Sequence, residues 1–381
     1  MPREPRAELA ALQSAGLRRT LRTIDAPQGP VLVVDGRRLR NFSSNDYLGL
    51  AAHPALAEAA VRALRDFGFG AGASRLVCGT LRPHTDLEEA LADFKGTEAA
   101  LAFASGFAAG HGTLTALAGP DDIVILDKLS HACLVDGARA SRATLRVFAH
   151  NDMGQLESHL RWARGRAAAS ARVVVVTESV FSMDGDLAPL AQIVDLKDRH
   201  GAWLMLDEAH ATGVIGPHGR GCAAAAGLAD RIDVQLGTLS KALGTHGGFI
   251  AGSRDLVDLL VNKARPFIYS TAPPAPVVAA ARAAVALAAS AEGDARRARL
   301  REVMRDLAAI LHLAAPASPI LPVTVGDEAE AVARAARLLA AGFFVPAIRY
   351  PTVPMGKARL RFSASAAHTP DDLAALGSCE W

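Results

Sequence analysis

Residues 172–179 read RVVVVTES, residues 202–210 read AWLMLDEAH and residues 233–240 read DVQLGTLS, and helical patterns separate the three runs. Short, continuous apolar runs of this kind are typical of strands buried on both faces, which occur in parallel sheets covered by helices. Three further runs fit the same pattern: ALAFAS (100–105), DIVILD (122–127) and GGFIAG (247–252). The sequence therefore predicts an α/β domain with a mostly parallel sheet, whose ligands bind at the carboxyl ends of the strands.

Outside this region, the patterns change in ways that predict three parts. Residues 1–45 combine an amphipathic helical pattern, which runs to about residue 22, with a short β segment, VLVVDGRRLRNF. Residues 46–275 form the large α/β domain. A Pro-Pro-Ala-Pro cluster near 273 marks its end, and residues 276–381 are predicted to form a smaller α+β domain with a helix over 327–341.

Composition excludes several classes of protein. Half of the 381 residues are apolar, 21% are charged and the mean hydropathy is +0.19, which is typical of a packed globular enzyme and not of a disordered or collagen-like chain. The 41 basic and 39 acidic residues give a net charge of only +2. Neither nucleic acid nor an anionic membrane surface is therefore an expected partner.

Cysteine spacing and the chain start indicate the compartment. The four cysteines form no CxxC pair, so we expect neither a disulfide framework nor a structural zinc site. The first residues carry charges throughout, and no uncharged apolar stretch reaches 18 residues. We expect a cytoplasmic protein that is neither secreted nor membrane-spanning.

Two short motifs match other classes of protein, but the sequence around each motif lacks a feature that the class requires. Residues 207–210 spell the DEAH box of a helicase family, but that function needs a phosphate loop, and GxxxxGK[ST] does not occur. Gly68, Gly70 and Ala73 match GxGxxG/A, yet a helical pattern precedes them where a dinucleotide site needs a strand. None of the 12 histidines has a metal-ligand spacing, so no metal site is predicted.

Lys241 is the strongest candidate for chemistry. It follows a predicted strand within GTLSKALG (237–244), where apolar and glycine-rich neighbours favour a partly desolvated amine with a lowered pKa. An isolated lysine is more often a solvated surface charge, but a Schiff-base lysine needs this environment. The hydroxyls of Thr238 and Ser240 suit a phosphate bound beside it.

Asp207 ends a strand 34 residues before Lys241, as expected for neighbouring strands of one sheet. Its simpler interpretation is a cap for the next helix. In the functional interpretation, its carboxylate keeps a proton on the pyridine nitrogen of pyridoxal phosphate, because two unit charges about 4 Å apart at a dielectric of about 20 interact by roughly 4 kcal/mol.

Two more strand ends carry candidate residues. His131 follows the strand DIVILD, where its ring can stack on a planar cofactor or be an ordinary buried histidine. The turn Ser105-Gly106-Phe107 lies between a strand and a helix, so its N–H groups suit a phosphate or an ordinary helix cap.

With these residues in this order, the chain resembles the α-oxoamine synthases, pyridoxal-phosphate enzymes of the fold-type I transferase class. The likeness covers nearly the whole chain and includes several specific stretches: NFSSNDYLGL (41–50), FASGFAAG (103–110), LSHACLVDGARAS (129–141), ESVFSMDGDLAPL (178–190), LDEAHATGVIGPHGRG (206–221) and IYST (268–271). The resemblance implies a large domain with a mostly parallel seven-stranded sheet, a smaller α+β C-terminal domain, an N-terminal helical arm, and a homodimer with sites at the subunit interface.

The resemblance also implies roles around pyridoxal 5'-phosphate. Lys241 forms the Schiff base and acts as general base, Asp207 pairs with the ring nitrogen, and His131 stacks on the ring. His210 and Ser182 hydrogen-bond near the phenolic oxygen. The expected catalytic residues are thus Lys241, His131, Asp207 and His210.

The phosphate is expected to contact Gly106, Phe107 and Thr238, and Ser270 or Thr271 reaches it from a second subunit. For the amino-acid substrate, Arg361 would clamp the carboxylate, since a guanidinium matches a carboxylate bidentately. The other expected substrate contacts are His131, Asn45, Thr352, Arg349 and Arg19, with Arg18 and Arg22 as adjacent alternatives to Arg19.

Within the family, FAHND (148–152) and AIRYPTVPMGKARLRFSASAAH (347–368) favour one branch. That branch condenses L-alanine with a pimeloyl thioester of coenzyme A or acyl carrier protein, with loss of carbon dioxide, in biotin biosynthesis. A branch that joins glycine to an acetyl or succinyl thioester is the alternative, because FFVP (343–346) and HTPDD (368–372) would fit it. A plain aminotransferase is disfavoured, since it has no use for ESVFSMDGD and PTVP.

Overall fold

The computed structural model describes residues 4–381, so the first three residues of the predicted N-terminal segment lie outside it. The α-helices are α1 Pro5–Ser14, α2 Pro54–Phe67, α3 Arg82–Lys95, α4 Gly106–Leu117, α5 Ala132–Ala140, α6 Met153–Arg164, α7 Leu190–Arg199, α8 Cys222–Ala225, α9 Arg254–Lys263, α10 Arg265–Ile268, α11 Ala275–Ala288, α12 Ala291–Ile310, α13 Glu328–Ala340 and α14 Pro370–Gly377. The strands are β1 Val31–Val34, β2 Arg37–Asn41, β3 Ala99–Phe103, β4 Ile123–Asp127, β5 Thr144–Phe148, β6 Val173–Glu178, β7 Trp203–Asp207, β8 Val234–Thr238, β9 Gly248–Gly252, β10 Ile320–Gly326, β11 Phe343–Phe344, β12 Ala347–Ile348 and β13 Ala358–Ser363.

The central sheet has seven strands in the order β3-β9-β8-β7-β6-β4-β5. Strand β9 runs antiparallel to both of its neighbours, β3 and β8, and the other four pairings of this sheet are parallel. The predicted mostly parallel sheet is therefore confirmed. All six apolar runs are strands of this sheet. The seventh, β5, escaped the sequence pattern because it lies at the sheet edge and reads TLRVF, with only Phe148 fully buried.

Both faces of the sheet are covered by helices, as the continuous apolar runs predicted. Along β4, Val124 and Leu126 belong to a core with α4, α5 and α9, while Ile123 and Ile125 belong to a core with α6 and α7. Because strand side chains alternate, only a strand that is buried on both faces needs such an unbroken apolar run.

The C-terminal part contains an antiparallel sheet of order β10-β13-β12, together with α12, α13 and α14. The predicted helix over 327–341 is α13. A third small sheet pairs β1 with β2 and β2 with β11, so the N-terminal β segment joins the C-terminal part of the chain.

The predicted N-terminal helix is shorter than its sequence pattern suggested. Helix α1 ends at Ser14, none of its residues is buried, and residues 17–30 contain no helix. Gly16 takes a positive φ of 65°, a conformation that commonly terminates helices. The prediction of a helix as far as residue 22 is therefore wrong.

Across residues 4–381, no single helix combines the length and apolarity needed to cross a membrane. Only α11 and α12 taken together pass that test, and they are bent by 73° relative to each other.

Candidate active site

Strands β6, β7 and β8 end side by side, and each delivers a functional group to the same edge of the sheet. Asp207 is the last residue of β7, and Lys241 follows β8, its parallel neighbour, as the spacing of the two residues predicted. Glu178, the last residue of β6, is the register partner of Asp207. Parallel strands thus bring two carboxylates and one amine together.

The charges at this edge are strongly perturbed. Burial lowers the pKa of Lys241, although Asp207 and Glu178 partly oppose that effect. Burial likewise raises the pKa of Asp207, against the attraction of Lys241. Burial, reinforced by the charge of Asp207, raises the pKa of Glu178 well above its usual value. An amine with a lowered pKa can act as a nucleophile and a base near neutral pH.

His210 lies directly against Lys241. Its Nε2 is 2.8 Å from Lys241 Nζ, and its Nδ1 is 2.7 Å from the hydroxyl of Tyr47. Burial and the nearby cations Lys241 and Arg361 hold the pKa of His210 well below its usual value, so the ring is neutral. Tyr47 is fully buried, and sequence reasoning did not single it out, although it stands inside the NFSSNDYLGL stretch.

His131 lies at the start of α5, and its position is fixed by Glu178. The backbone N–H of His131 donates to Glu178 Oε1 at 2.5 Å, and its ring Nδ1 accepts from Cys133 N at 3.2 Å. Glu178 was also missed at the sequence level. The available signal was a carboxylate at the end of the buried run RVVVVTES, the same placement that marked Asp207.

The start of α4 forms a turn suited to a phosphate. Ser105 caps the helix through its hydroxyl, which accepts from Ala108 N at 3.0 Å. The first N–H groups of a helix have no partner within the helix, so those of Gly106 and Phe107 are available to an anion. The hydroxyls of Thr238 and Ser240 lie 2.7 Å apart beside this turn.

The backbone of β9 packs so closely against this turn that there is little room for a side chain. A Cβ on Gly248 would lie 2.5 Å from Gly106 Cα, and a Cβ on Gly106 would reach within 3.5 Å of Thr238 Oγ1. Only glycine at position 248 allows β9 to pass beneath the turn.

A cavity of about 230 Å³ connects these groups. Its lining includes the start of α4 at one side, two buried carboxylates, an amine and two histidine rings: Gly106, Phe107, His131, Glu178, Asp207, His210, Thr238 and Lys241. These residues fit pyridoxal phosphate, because the group carries a phosphate, a pyridine nitrogen, a phenolic oxygen and a carbonyl that reacts with an amine.

A second cavity of about 620 Å³ shares His131 with the first. Arg19, Ser182 and Thr352 also line it, and Arg19 Nη2 donates to Thr352 Oγ1 at 3.4 Å. Two reactants, one bound in each cavity, would therefore come into contact beside His131.

Arg361 and Asn45 form a polar pair near this junction. Arg361, on β13, is buried and donates from Nε to the carbonyl of Ser182 at 2.7 Å. Its Nη1 and Nη2 both lie 3.2 Å from Asn45 Oδ1, which also accepts from the Tyr47 hydroxyl at 3.1 Å.

Two predicted contact residues lie elsewhere in this chain. The structure does not bring Arg349 to the cavity of His131: the side chain lines a neighbouring groove and donates to the carbonyl of Gly16. Thr271 is exposed, and its backbone pairs with Ser74 outside the 230 Å³ cavity. Its predicted contact with the phosphate concerns a second subunit.

Comparison with known proteins identifies similar chains. The model of the class I and II aminotransferase family matches residues 37–377. An 8-amino-7-oxononanoate synthase from Anaeromyxobacter dehalogenans is 52% identical over 95% of this chain and 90% of its own length. One from Geobacter sulfurreducens is 49% identical over 98% of this chain and 96% of its own length.

Similar solved structures include two kinds of enzyme. A serine palmitoyltransferase from Sphingomonas wittichii is 34% identical with a TM-score of 0.91, covering 98% of this chain and 95% of its own. One from S. paucimobilis with bound PLP and myriocin is 33% identical with a TM-score of 0.89, covering 97% and 94%. An 8-amino-7-oxononanoate synthase from Francisella tularensis is 26% identical with a TM-score of 0.73, covering 89% and 97%.

Proposed function

The chain belongs to the class I and II aminotransferase family, and from its similarity to 8-amino-7-oxononanoate synthases we propose that it is a pyridoxal-phosphate-dependent C-acyltransferase that condenses L-alanine with a pimeloyl thioester. The products are 8-amino-7-oxononanoate, carbon dioxide and the free thiol carrier, and the reaction is a step of biotin biosynthesis. Relatives at 46–52% identity over almost the whole chain carry the name of this synthase.

One observation carries the proposal at the level of chemistry. Lys241 lies against His210 in a cavity with Asp207 and an anion-binding turn, and that cavity shares His131 with a second, larger cavity. A transaminase needs one such cavity for successive substrates, whereas a condensing enzyme must hold an amino acid and an acyl thioester at once.

Pyridoxal phosphate supplies an electron sink for a carbanion at the α-carbon of alanine when it is bound in the 230 Å³ cavity. Asp207 holds a proton at the pyridine nitrogen, and the N–H groups of Gly106 and Phe107 bind the phosphate. Lys241, with its lowered pKa, removes the α-proton and later returns a proton to the same carbon.

Arg361 and Asn45 bind the carboxylate of alanine, which orients the α-hydrogen toward Lys241. His131 lies between the two cavities and excludes water from the face where the new carbon–carbon bond forms. The thioester carbonyl enters from the 620 Å³ cavity, past Arg19 and Thr352.

The similarity to serine palmitoyltransferases makes substrate choice the decisive test. Purified, pyridoxal-loaded protein is incubated with L-alanine, glycine or L-serine, each against pimeloyl, acetyl, succinyl and palmitoyl thioesters of coenzyme A and of acyl carrier protein. Thiol release and product mass are followed together. We expect turnover with L-alanine and a pimeloyl thioester. Preference for glycine with a short acyl thioester, or for L-serine with a palmitoyl thioester, would contradict the proposed function.

The proposal includes a homodimer with its sites at the subunit interface. Its support is an exposed apolar set near the phosphate turn: Leu76, Val77, Phe107 and Tyr269. The turn Arg75–Gly79 contacts α10, and α10 contacts α4, so these side chains occupy one region of the surface. A Val77→Asp variant should be monomeric by sedimentation and inactive. Val332→Asp, at an exposed position of α13, should remain dimeric and active.

We also propose that the protein acts in the cytoplasm. All four cysteines are unpaired thiols, which supports a reducing compartment. Cell fractionation followed by immunoblotting tests this; recovery in a membrane or extracellular fraction would contradict it.

A further inference from the structure

His150, in the loop after β5, has both ring nitrogens on carboxylates. Nδ1 lies 3.1 Å from Asp127 Oδ1, and Nε2 lies 2.8 Å from Asp186 Oδ2. A carboxylate only accepts hydrogen bonds, and a neutral imidazole carries a single N–H. Both contacts are therefore hydrogen bonds only when the ring is an imidazolium.

The surroundings favour that charged form. Burial alone would lower the pKa of His150, but the hydrogen bonds and charges of Asp186 and Asp127 raise it above its usual value. Those two carboxylates, one on β4 and one in the loop after β6, are the charged groups that face the ring. Its own loop adds the amide of Asn151, whose Nδ2 donates to Asp186 Oδ2 at 3.2 Å.

Asp127 connects His150 to the segment that carries His131. It is the fully buried last residue of β4, and its Oδ1 also accepts from Leu129 N at 2.8 Å. Its Oδ2 accepts from Asn151 N at 3.0 Å. The carboxylate thus fixes the path of the chain two residues before His131.

Asp186 connects His150 to residues 181–186, which we call the 181–186 turn. Phe181 N donates to the carbonyl of Asp186 at 3.0 Å, and Gly185 N donates to the carbonyl of Phe181 at 2.8 Å. The Phe181 ring packs edge-on against the His150 ring, with centroids 4.3 Å apart.

The other side of the 181–186 turn contacts Arg361, the residue that is proposed to bind the amino-acid carboxylate. The carbonyl of Ser182 accepts from Arg361 Nε at 2.7 Å. Arg359, also on β13, donates to the carbonyl of Met183 and pairs with Asp184 at 2.5 Å. Any displacement of the 181–186 turn would therefore move both Ser182 and Arg361.

We propose that His150 is a positioning residue whose imidazolium, by binding Asp127 and Asp186 together, holds the His131 segment and the 181–186 turn in register, so that Ser182 and Arg361 receive the amino acid correctly. His150 lines neither the 230 Å³ cavity nor the 620 Å³ cavity. The inference rests on the proposed function only in assuming that Arg361 binds an amino-acid carboxylate.

The protonation state has a definite direction of effect. The imidazolium is present below the midpoint of His150 and is lost as pH rises through it, so amino-acid affinity falls on the alkaline side. Asp186→Asn removes one of the two charges that raise the pKa of His150 and nearly preserves the shape of the side chain. That variant should move both the midpoint and the alkaline fall to lower pH.

The experiment uses the pyridoxal-loaded protein in two measurements that need no condensation. Nitrogen-15 NMR of labelled histidine, assigned by His150→Gln, follows the ring titration. L-Alanine binding is measured from pH 6 to 9 by the absorbance change of the bound cofactor. We expect a titration midpoint above 6.5, an affinity loss of about 10-fold across it, and a shift of both in Asp186→Asn.

The controls distinguish a positioning role of His150 from a general disturbance of the structure. His159→Gln on α6, where the ring faces the carbonyl of Val147, should leave the binding profile unchanged. His150→Gln should bind alanine about 10-fold more weakly at neutral pH, with no alkaline fall. A His150 that titrates at or below 6.5, or an alkaline fall identical in wild type and Asp186→Asn, would overturn the inference. If alanine binds as expected but no thioester is consumed, the proposed function fails and the inference stands.

Discussion

The hydroxyl of Tyr47 lies 2.7 Å from His210 Nδ1, and the opposite nitrogen of the same ring lies 2.8 Å from Lys241 Nζ. Because the ring is neutral, it carries one N–H, and the partner at Nδ1 decides what Nε2 can do. Burial raises the pKa of Tyr47, so the hydroxyl keeps its proton. That proton is donated to Asn45 Oδ1, so the hydroxyl oxygen accepts the N–H of His210 at Nδ1. Nε2 is then left as an acceptor beside Lys241 Nζ.

Tyr47→Phe should therefore impair catalysis without altering thioester binding. Loss of this partner of Nδ1 costs about 1–3 kcal/mol, and this predicts a fall in kcat of about 10- to 100-fold. Steady-state kinetics should show an unchanged KM for the thioester. In a His210→Asn background, the same change should cost little more; additive losses would show that Tyr47 does not act through His210.

Arg361→Lys should weaken amino-acid binding selectively. Arg361 contacts Ser182 and Asn45 with three nitrogens at once, and lysine offers one ammonium on a flexible stem. We expect the KM for alanine to rise about 10- to 100-fold while the KM for the thioester is retained. Arg334→Lys, at a half-buried position of α13 where the side chain pairs with Glu330, serves as control. Equal effects on both KM values would place Arg361 outside the alanine site.

Much of the fold and half of the site follow from local sequence. Unbroken apolar runs reveal strands buried on both faces, which is why β6, β7 and β8 were predictable and the edge strand β5 was not. Asp207 and Lys241 stand where such runs end, so their neighbourhood could be inferred.

Contacts made over long sequence separations could not be inferred in this way. Tyr47 and His210 are 163 residues apart, and Arg361 and Asn45 are 316 apart. Glu178 had the right position but no charge partner nearby in sequence. The failure at α1 has a different cause: the apolar pattern continues past Gly16, but the left-handed backbone of that glycine follows the end of the helix.

Lys95→Met should destabilise the protein strongly, because it breaks a fully buried ion pair. Lys95 Nζ lies 2.5 Å from Glu208 Oε2 and donates to the carbonyl of Arg220. Removing one partner of such a pair costs about 3–5 kcal/mol of unfolding free energy. Urea unfolding measures this loss, and Lys95→Met combined with Glu208→Gln should recover part of it. Arg161→Ala, which breaks an exposed pair with Glu157, should have no measurable effect.

His368 should make the protein less stable in mild acid. Its Nε2 donates to the carbonyl of Asn41 at 2.8 Å, and its Nδ1 accepts from Ser365 N at 3.1 Å, so both nitrogens are used by the neutral ring. A proton on Nδ1 would oppose the N–H of Ser365. Burial accordingly lowers the pKa of His368 below its usual value of 6.5.

The sign follows from proton binding in the two states. Below pH 6.5 the unfolded chain binds a proton at this residue and the folded chain does not, so stability falls as pH drops toward the lower, folded pKa. The slope from one such group is at most about 1.4 kcal/mol per pH unit. Urea unfolding from pH 8 to 5 should give a shallower slope for His368→Gln than for the wild type, whereas His312→Asn, at an exposed position, should leave the slope unchanged. Parallel slopes for all three proteins would mean that His368 is protonated in the folded state despite its two contacts.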